Sequence, residues 1–210
     1  MAENIKPTRS ELLQLKKQIR LAKTGHSLLK KKRDGLILEF FEVLKKTKEV
    51  KRDLADSYRE ALHKINVARA IDGDLAIRSI SLAIKSLPIV EVAVKNIMGV
   101  KVPKISFSEL KKSLFERGYG VYSSTSKIDE AAFAYETVVE KALRAAELEL
   151  TLKKLLREIE KTKRKVNALE LITIPKLEDA AKYIRLRLEE IERENFSRLK
   201  RIKVIMAKNE

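Results

Sequence analysis

The chain has 210 residues, of which 36% are charged and only 5% aromatic, with no Trp and no Cys. That composition excludes a disulfide framework and thiolate chemistry, and it reads as long helices rather than a densely packed globular core. The formal net charge of +16 asks for an acidic partner: nucleic acid, anionic lipid or an acidic protein surface.

Residues Met1–Ser10 lack the apolar stretch of a signal peptide. No apolar run reaches the roughly 20 residues that span a bilayer. The expectation is a protein of the cytoplasmic side, peripheral to a membrane at most, with no direct insertion. Thr8 and Glu11 then have the spacing of a capping box, so a helix is predicted to open there. From Leu12 the apolar positions step alternately by three and four through Leu15, Ile19, Ala22, Leu29, Leu36, Phe40, Val43, Val50 and Leu54, with His26, Arg33 and Thr47 in the same register. A 3.5-residue period held this long is a coiled-coil signature. After Leu54 the large apolar residues suggest a slip by one, with Tyr58, Leu62 and Ile65 continuing the seam as a stutter.

The middle of the chain is different. Asp72-Gly73-Asp74 is a break, and Leu75, Ile77, Ile80, Ile84 and Leu87 suggest a short helix ending at Pro88. Residues Ile89–Ile97 and Val100–Ile105 alternate around Gly99, which is a β-hairpin signal carried by Val92, Val94, Gly99 and Val102. Pro103 implies an edge position. Ser106 and Glu109 form a second capping box, for a short helix stopping at Gly118.

The last third returns to the long period. Ser126 and Asp129 suggest the cap, and the seam runs through Val138, Ala145, Leu148, Leu152, Leu155, Ile159, Val166 and Leu169. After a shift near Ile174 it resumes at Leu177, Ala181, Ile184, Leu188, Ile191, Ile202 and Ile205. Pro175 predicts a kink. The expected architecture is mainly α: a long antiparallel two-helix coiled coil from the N- and C-terminal helices (1–70 and 128–210), with a middle region (71–127) of short helices and a β-hairpin. Folding back lets the two apolar stripes bury each other, which is where such helices gain most of their stability.

The segments Pro7-Thr8-Arg9-Ser10-Glu11-Leu12-Leu13, Gly25-His26-Ser27-Leu28-Leu29-Lys30-Lys31-Lys32-Arg33-Asp34, Met98-Gly99-Val100-Lys101-Val102-Pro103, Val166-Asn167-Ala168-Leu169-Glu170, Ile174-Pro175 and Arg198-Leu199-Lys200-Arg201-Ile202-Lys203 follow one another in this order. The ordered set resembles the D subunit of the archaeal-type and vacuolar-type rotary ATPases over essentially the whole chain. The resemblance implies a non-catalytic central shaft without a cofactor. Its partners would be a hexamer of catalytic A and regulatory B subunits, a small F subunit, and the C subunit on the membrane side. Ion flow would drive rotation for ATP synthesis.

The basic run Lys30, Lys31, Lys32 and Arg33 reads either as a solvated helix face or as a contact with an acidic sleeve. A simple hairpin with its termini together would bring it near Arg198, Lys200, Arg201 and Lys203, so all eight are candidates for the hexamer bore. Leu12, Ile19, Leu29, Leu36, Phe40, Leu188, Ile191 and Ile202 are the candidate seam. His26 and Arg33, polar in that seam, are expected to fix helix register; Gly25 and Gly35 mark a close approach of the partner helix or flexible points. No phosphate-cradling glycine loop precedes a lysine, and two distant histidines without cysteine make a poor zinc site. A basic nucleic-acid-binding coiled coil and a coiled-coil chaperone are the competing readings. Thirty interleaved acids and the lack of an aromatic platform speak against nucleic acid.

Overall fold

A computed structural model describes residues 6–83, 89–107 and 125–209. The elements are α1 (Arg9–Asp72), α2 (Asp74–Ala83), β1 (Val90–Ile97), β2 (Val100–Phe107), α3 (Ser126–Ala168), a π-helical turn (Leu169–Thr173) and α4 (Ile174–Asn209). The fold is the antiparallel pairing of a long N-terminal helix with the C-terminal helical run, interrupted by a short helix and a β-hairpin. Contacts divide the chain into two units: residues 1–34 with 160–210, and residues 35–159.

The first unit opens with the cap expected from the sequence: Thr8 Oγ1 accepts the Glu11 N–H at 3.2 Å, satisfying one of the orphan donors of the first turn. Leu15, Thr162, Val166 and Ile184 are buried in its seam. Among the described residues, ion pairs of Arg9 with Glu192 at 2.5 Å and of Lys23 with Glu178 at 2.6 Å cross it, and His26 Nε2 lies 3.2 Å from Glu170 Oε2 in a hydrogen bond. Between α3 and α4 the Ile174 N–H bonds the Leu169 carbonyl, five residues back, and Thr173 Oγ1 donates to Ala168 O at 3.2 Å. A π-turn inserts one residue relative to α geometry. That insertion is the register shift visible in the sequence. An uninterrupted α-helix would carry the Leu169 frame on to Tyr183 and Arg187. These are exposed, and Ile184 and Leu188 face inward instead. Pro175, which lacks an N–H and would crowd the carbonyl four residues back, follows directly after the widened turn.

In the second unit the seam of α1 continues through Leu36, Thr47, Ala61 and Ala68, all buried, against Ile128, Ala131, Ala134, Val138, Ala145, Thr151 and Leu155 of α3. The expected slip after Leu54 does not occur: Tyr58 and Leu62 are exposed. Ser57 and Ala61 keep the unbroken three–four spacing from Leu54. Small residues let the helices approach, so the seam is marked there by the absence of bulk. Buried Thr47 is satisfied within its own helix, donating to Val43 O at 2.7 Å.

Helix α1 ends where the Asp-Gly-Asp break predicts. Gly73 has φ +83° and its N–H bonds Arg69 O at 3.1 Å, a left-handed C-terminal cap. Asp74 then forms ion pairs with both Arg69 and Arg78. Helix α3 starts at Ser126, so Thr125 rather than Ser126 occupies the flanking position, and its hydroxyl donates to Asp72. The helix predicted after Ser106, with Glu109 and Gly118, and the end of the short helix at Ile84, Leu87 and Pro88, lie outside the described residues.

Strands β1 and β2 pair antiparallel with Ile97 opposite Val100, Val94 opposite Pro103 and Val92 opposite Ile105. The two-residue turn is Met98-Gly99, with φ +48° and +86°, the doubly left-handed geometry that suits strand twist.

Candidate partner-binding surface

In the hairpin, Val100 and Val102 are buried with Leu36 and Leu155, and Ile97, Phe40, Val43 and Ile159 pack around them. The turn residue Met98 comes down on α1: a Cβ added to Gly35 would lie 2.6 Å from Met98 Cε. Gly35 thus marks a close approach of the hairpin, whereas Gly25 has nothing within 4 Å. The outer face of β1 is left uncovered, with Val92 and Val94 exposed at 63% and 69%. Pro103 is buried on a two-stranded sheet in which each strand is an edge.

Of the candidate seam residues, Leu36 is fully buried and Phe40 packs against it. Leu12 and Leu188 line one groove, together with Arg9, Leu13, Arg185 and Glu192. Ile19 and Leu29 are half-buried. Ile191 and Ile202 are exposed. The Arg9–Glu192 pair explains Ile202: α1 begins opposite Glu192, so residues beyond it pass the end of α1. Phe196, Leu199, Ile202, Ile205 and Met206 are all exposed there.

The same pairing corrects the expected meeting of the basic clusters. Lys30 lies twenty-one residues along α1 from Arg9, and Arg198 lies six residues past Glu192 in the opposite direction. At 1.5 Å per residue the two clusters are on the order of 40 Å apart. Lys30–Arg33 instead face the level of Lys161–Lys165, continuing the antiparallel run from the His26–Glu170 pair. Arg198, Lys200, Arg201 and Lys203 form a separate, exposed group on the C-terminal extension, where Arg198 sits 3.7 Å from Glu194. Arg33 turns back on its own helix, with Nε and Nη2 donating to Asp34 Oδ1 at 3.0 and 2.8 Å.

The electrostatics are those of surface ion pairs. Glu42, Glu60 and Glu149 are held below the usual carboxylate range by hydrogen bonds from Lys46, Lys64 and Lys51 respectively. Burial raises the Tyr135 hydroxyl above its usual value, with Tyr58 adding to the effect. Among the described residues no group of three or more His, Asp or Glu side chains is placed to hold a metal ion, and no helix is long and apolar enough to cross a membrane. An apolar cavity of about 190 Å³ opens between the end of α1, α2 and the start of α3, lined by Ile65, Ala68, Ile77, Ile80, Ile128 and Tyr135.

These features define an antiparallel coiled-coil protein whose chemistry lies in exposed apolar and cationic surface on two paired helices and a docked hairpin. The sequence pattern of the ATP synthase D subunit matches residues 11–204. The chain is 55% identical over 204 residues to the A-type ATP synthase D subunit of Methanosarcina mazei, covering 97% of this chain and 98% of that one. It is 48% identical to the A-type ATP synthase D subunit of Archaeoglobus fulgidus over 210 residues, all of both chains. The chain belongs to the family of ATP synthase D subunits.

Proposed function

We propose that this protein is the non-catalytic central shaft of an A-type rotary ATP synthase, carrying torque between an ion-driven membrane ring and a hexamer of A and B subunits that makes ATP. The small F subunit and the membrane-side C subunit are its other partners, and it works peripherally on the cytoplasmic face of the membrane. The observation that carries this reading is the pairing of two helices of unrelated sequence over both units, in a chain matched to the ATP synthase D subunit along its length. Because the helices differ, each side of the pair presents different side chains. Identical sites arranged around such an element would be biased into different states, and rotation would pass those states from site to site.

The exposed C-terminal extension, with Phe196, Leu199, Ile202 and the basic group from Arg198 to Lys203, is the surface we assign to the hexamer bore. Removing Arg198–Glu210 deletes no described residue of the buried seam. The truncated chain should therefore fold but assemble less well with A and B subunits, or couple poorly. Co-purification with recombinant A and B subunits, followed by ATPase assay of the reconstituted complex, tests this. Full-strength assembly with unchanged coupled activity in the truncation would refute the assignment.

A further inference from the structure

Two cations of the first unit are matched across the helix pair, Arg9 with Glu192 and Lys23 with Glu178. One level is especially dense in cations. Residues 30–34 and 160–165 contain eight lysines and arginines and only two carboxylates, Asp34 and Glu160. Asp34 is taken by Arg33 at 2.8 Å, and Glu160 by Arg164 at 3.9 Å. Lys30, Lys31, Lys161, Lys163 and Lys165 are exposed and have no carboxylate at ion-pair distance among the described residues.

Their arrangement around the axis follows from helix geometry. Successive residues on a helix are about 100° apart, so exposed Lys30 and Lys31 spread over about 100° of the outer face of α1. Exposed Lys163, Arg164 and Lys165 sweep about 200° of α3. Buried Thr162 and Val166 fix which side of α3 faces its partner, and the cations take the remaining directions. The charge therefore encircles the helix pair at one level instead of forming a patch on one side.

We infer that this level is a cationic girdle that runs inside an acidic collar formed by the surrounding partner ring. The inference rests on the shaft reading above, and it adds residues 161–165 to the contact while separating it from the C-terminal extension. A partner that binds one side of a rod needs charge on that side only; charge in all directions matches a partner that surrounds it. Coulomb attraction between solvated charges acts over a Debye length of about 8 Å at physiological ionic strength. It needs no fixed pairing geometry, so it holds the pair centred while letting it turn.

The test uses the full-length chain and a reconstituted hexamer of A and B subunits, with association measured across a salt series. Neutralising Lys30, Lys31, Lys161, Lys163 and Lys165 to Gln should lower affinity at low salt by tenfold or more. The gap should close near 1 M salt, where screening is nearly complete, and helical circular dichroism should be unchanged. Single reversals Lys31→Glu and Arg164→Glu, on opposite outer faces, should weaken binding by similar factors. Wild-type affinity in the neutralised chain, or an effect from only one reversal, overturns the girdle while leaving the shaft reading intact. Failure of the unmodified chain to bind the hexamer removes both. Tight salt-dependent binding to a short DNA duplex, abolished by neutralisation while hexamer binding is unaffected, would assign the girdle to nucleic acid and also overturn it.

Discussion

Met98 rests on Gly35: the thioether of the hairpin turn occupies the space where any side chain on that helical position would begin, with Cε 2.6 Å and Sδ 3.2 Å from an added Cβ. Gly25, ten residues earlier in the same helix, faces open space. The two glycines look alike in the sequence, and their environments predict different behaviour.

Gly25→Ala should stabilise the protein by roughly 0.5–1 kcal/mol, the ordinary helix-propensity gain. Gly35→Ala gains the same propensity but must push the flexible end of Met98 aside, so its net gain should be smaller or negative. Thermal melts of the two variants measure the difference. An equal rise in Tm for both would show that the Met98 contact carries no weight. Pairing Gly35→Ala with Met98→Ala should restore most of the propensity gain, because the obstruction is then gone.

Leu155 and Leu156 are neighbours in α3 with opposite fates: Leu155 is fully buried against Leu36, Val100 and Val102, while Leu156 is 46% exposed. Leu155→Ala should cost about 2–5 kcal/mol, combining lost transfer energy with a residual cavity. Leu156→Ala should cost under about 1 kcal/mol. Denaturant unfolding of both variants provides the comparison.

The sequence made Leu155 legible because a large apolar residue sat on the period. Where the seam was built from Ser57, Ala61 and Ala68, the same reasoning followed the bulky Tyr58 and Leu62 outward and inferred a stutter that is absent. Periodicity read from side-chain size fails where close helix approach selects for small residues. The hairpin was legible because alternation and a glycine turn are local signals. The partners of Lys30–Arg33 were not, because they depend on where α1 starts relative to α4, which only the Arg9–Glu192 pairing fixes.

Lys51 of α1 pairs with Glu149 of α3 across the second unit, and that hydrogen bond and charge hold the Glu149 carboxyl below its usual range. A carboxyl depressed in the folded state contributes stability above its unfolded pKa, about 4.3. The contribution is lost as pH falls through the lower folded value. Glu149→Gln should therefore melt slightly below wild type at pH 7, with the gap closing under acid. Both groups are largely solvated, so the effect is small. A Tm difference that persisted undiminished at about pH 2, well below the ordinary carboxylate value, would mean that the side chain acts through packing, not charge.

The π-turn gives the sharpest structural prediction, because it separates two explanations of Pro175. If the proline alone forced the widened turn, Pro175→Ala would let it relax to α. But Ile184 and Leu188 are in register with the inward face only because one extra residue precedes them. Pro175→Ala alone should therefore keep the turn, since relaxing it would rotate the rest of α4 by about 100° and expose Ile184. Deleting the exposed Ile172 in the Pro175→Ala background removes both the extra residue and the ring that opposes α geometry. The seam on either side then stays in register through a continuous α-helix, and stability should equal or exceed that of wild type. Deleting the comparably placed exposed Leu150, far from any widened turn, should instead throw the following seam out of register and cost several kcal/mol. Melting temperatures of the two deletions decide the point: if both are equally damaging, the π-turn is not a compensated insertion, and the register of α4 has another origin.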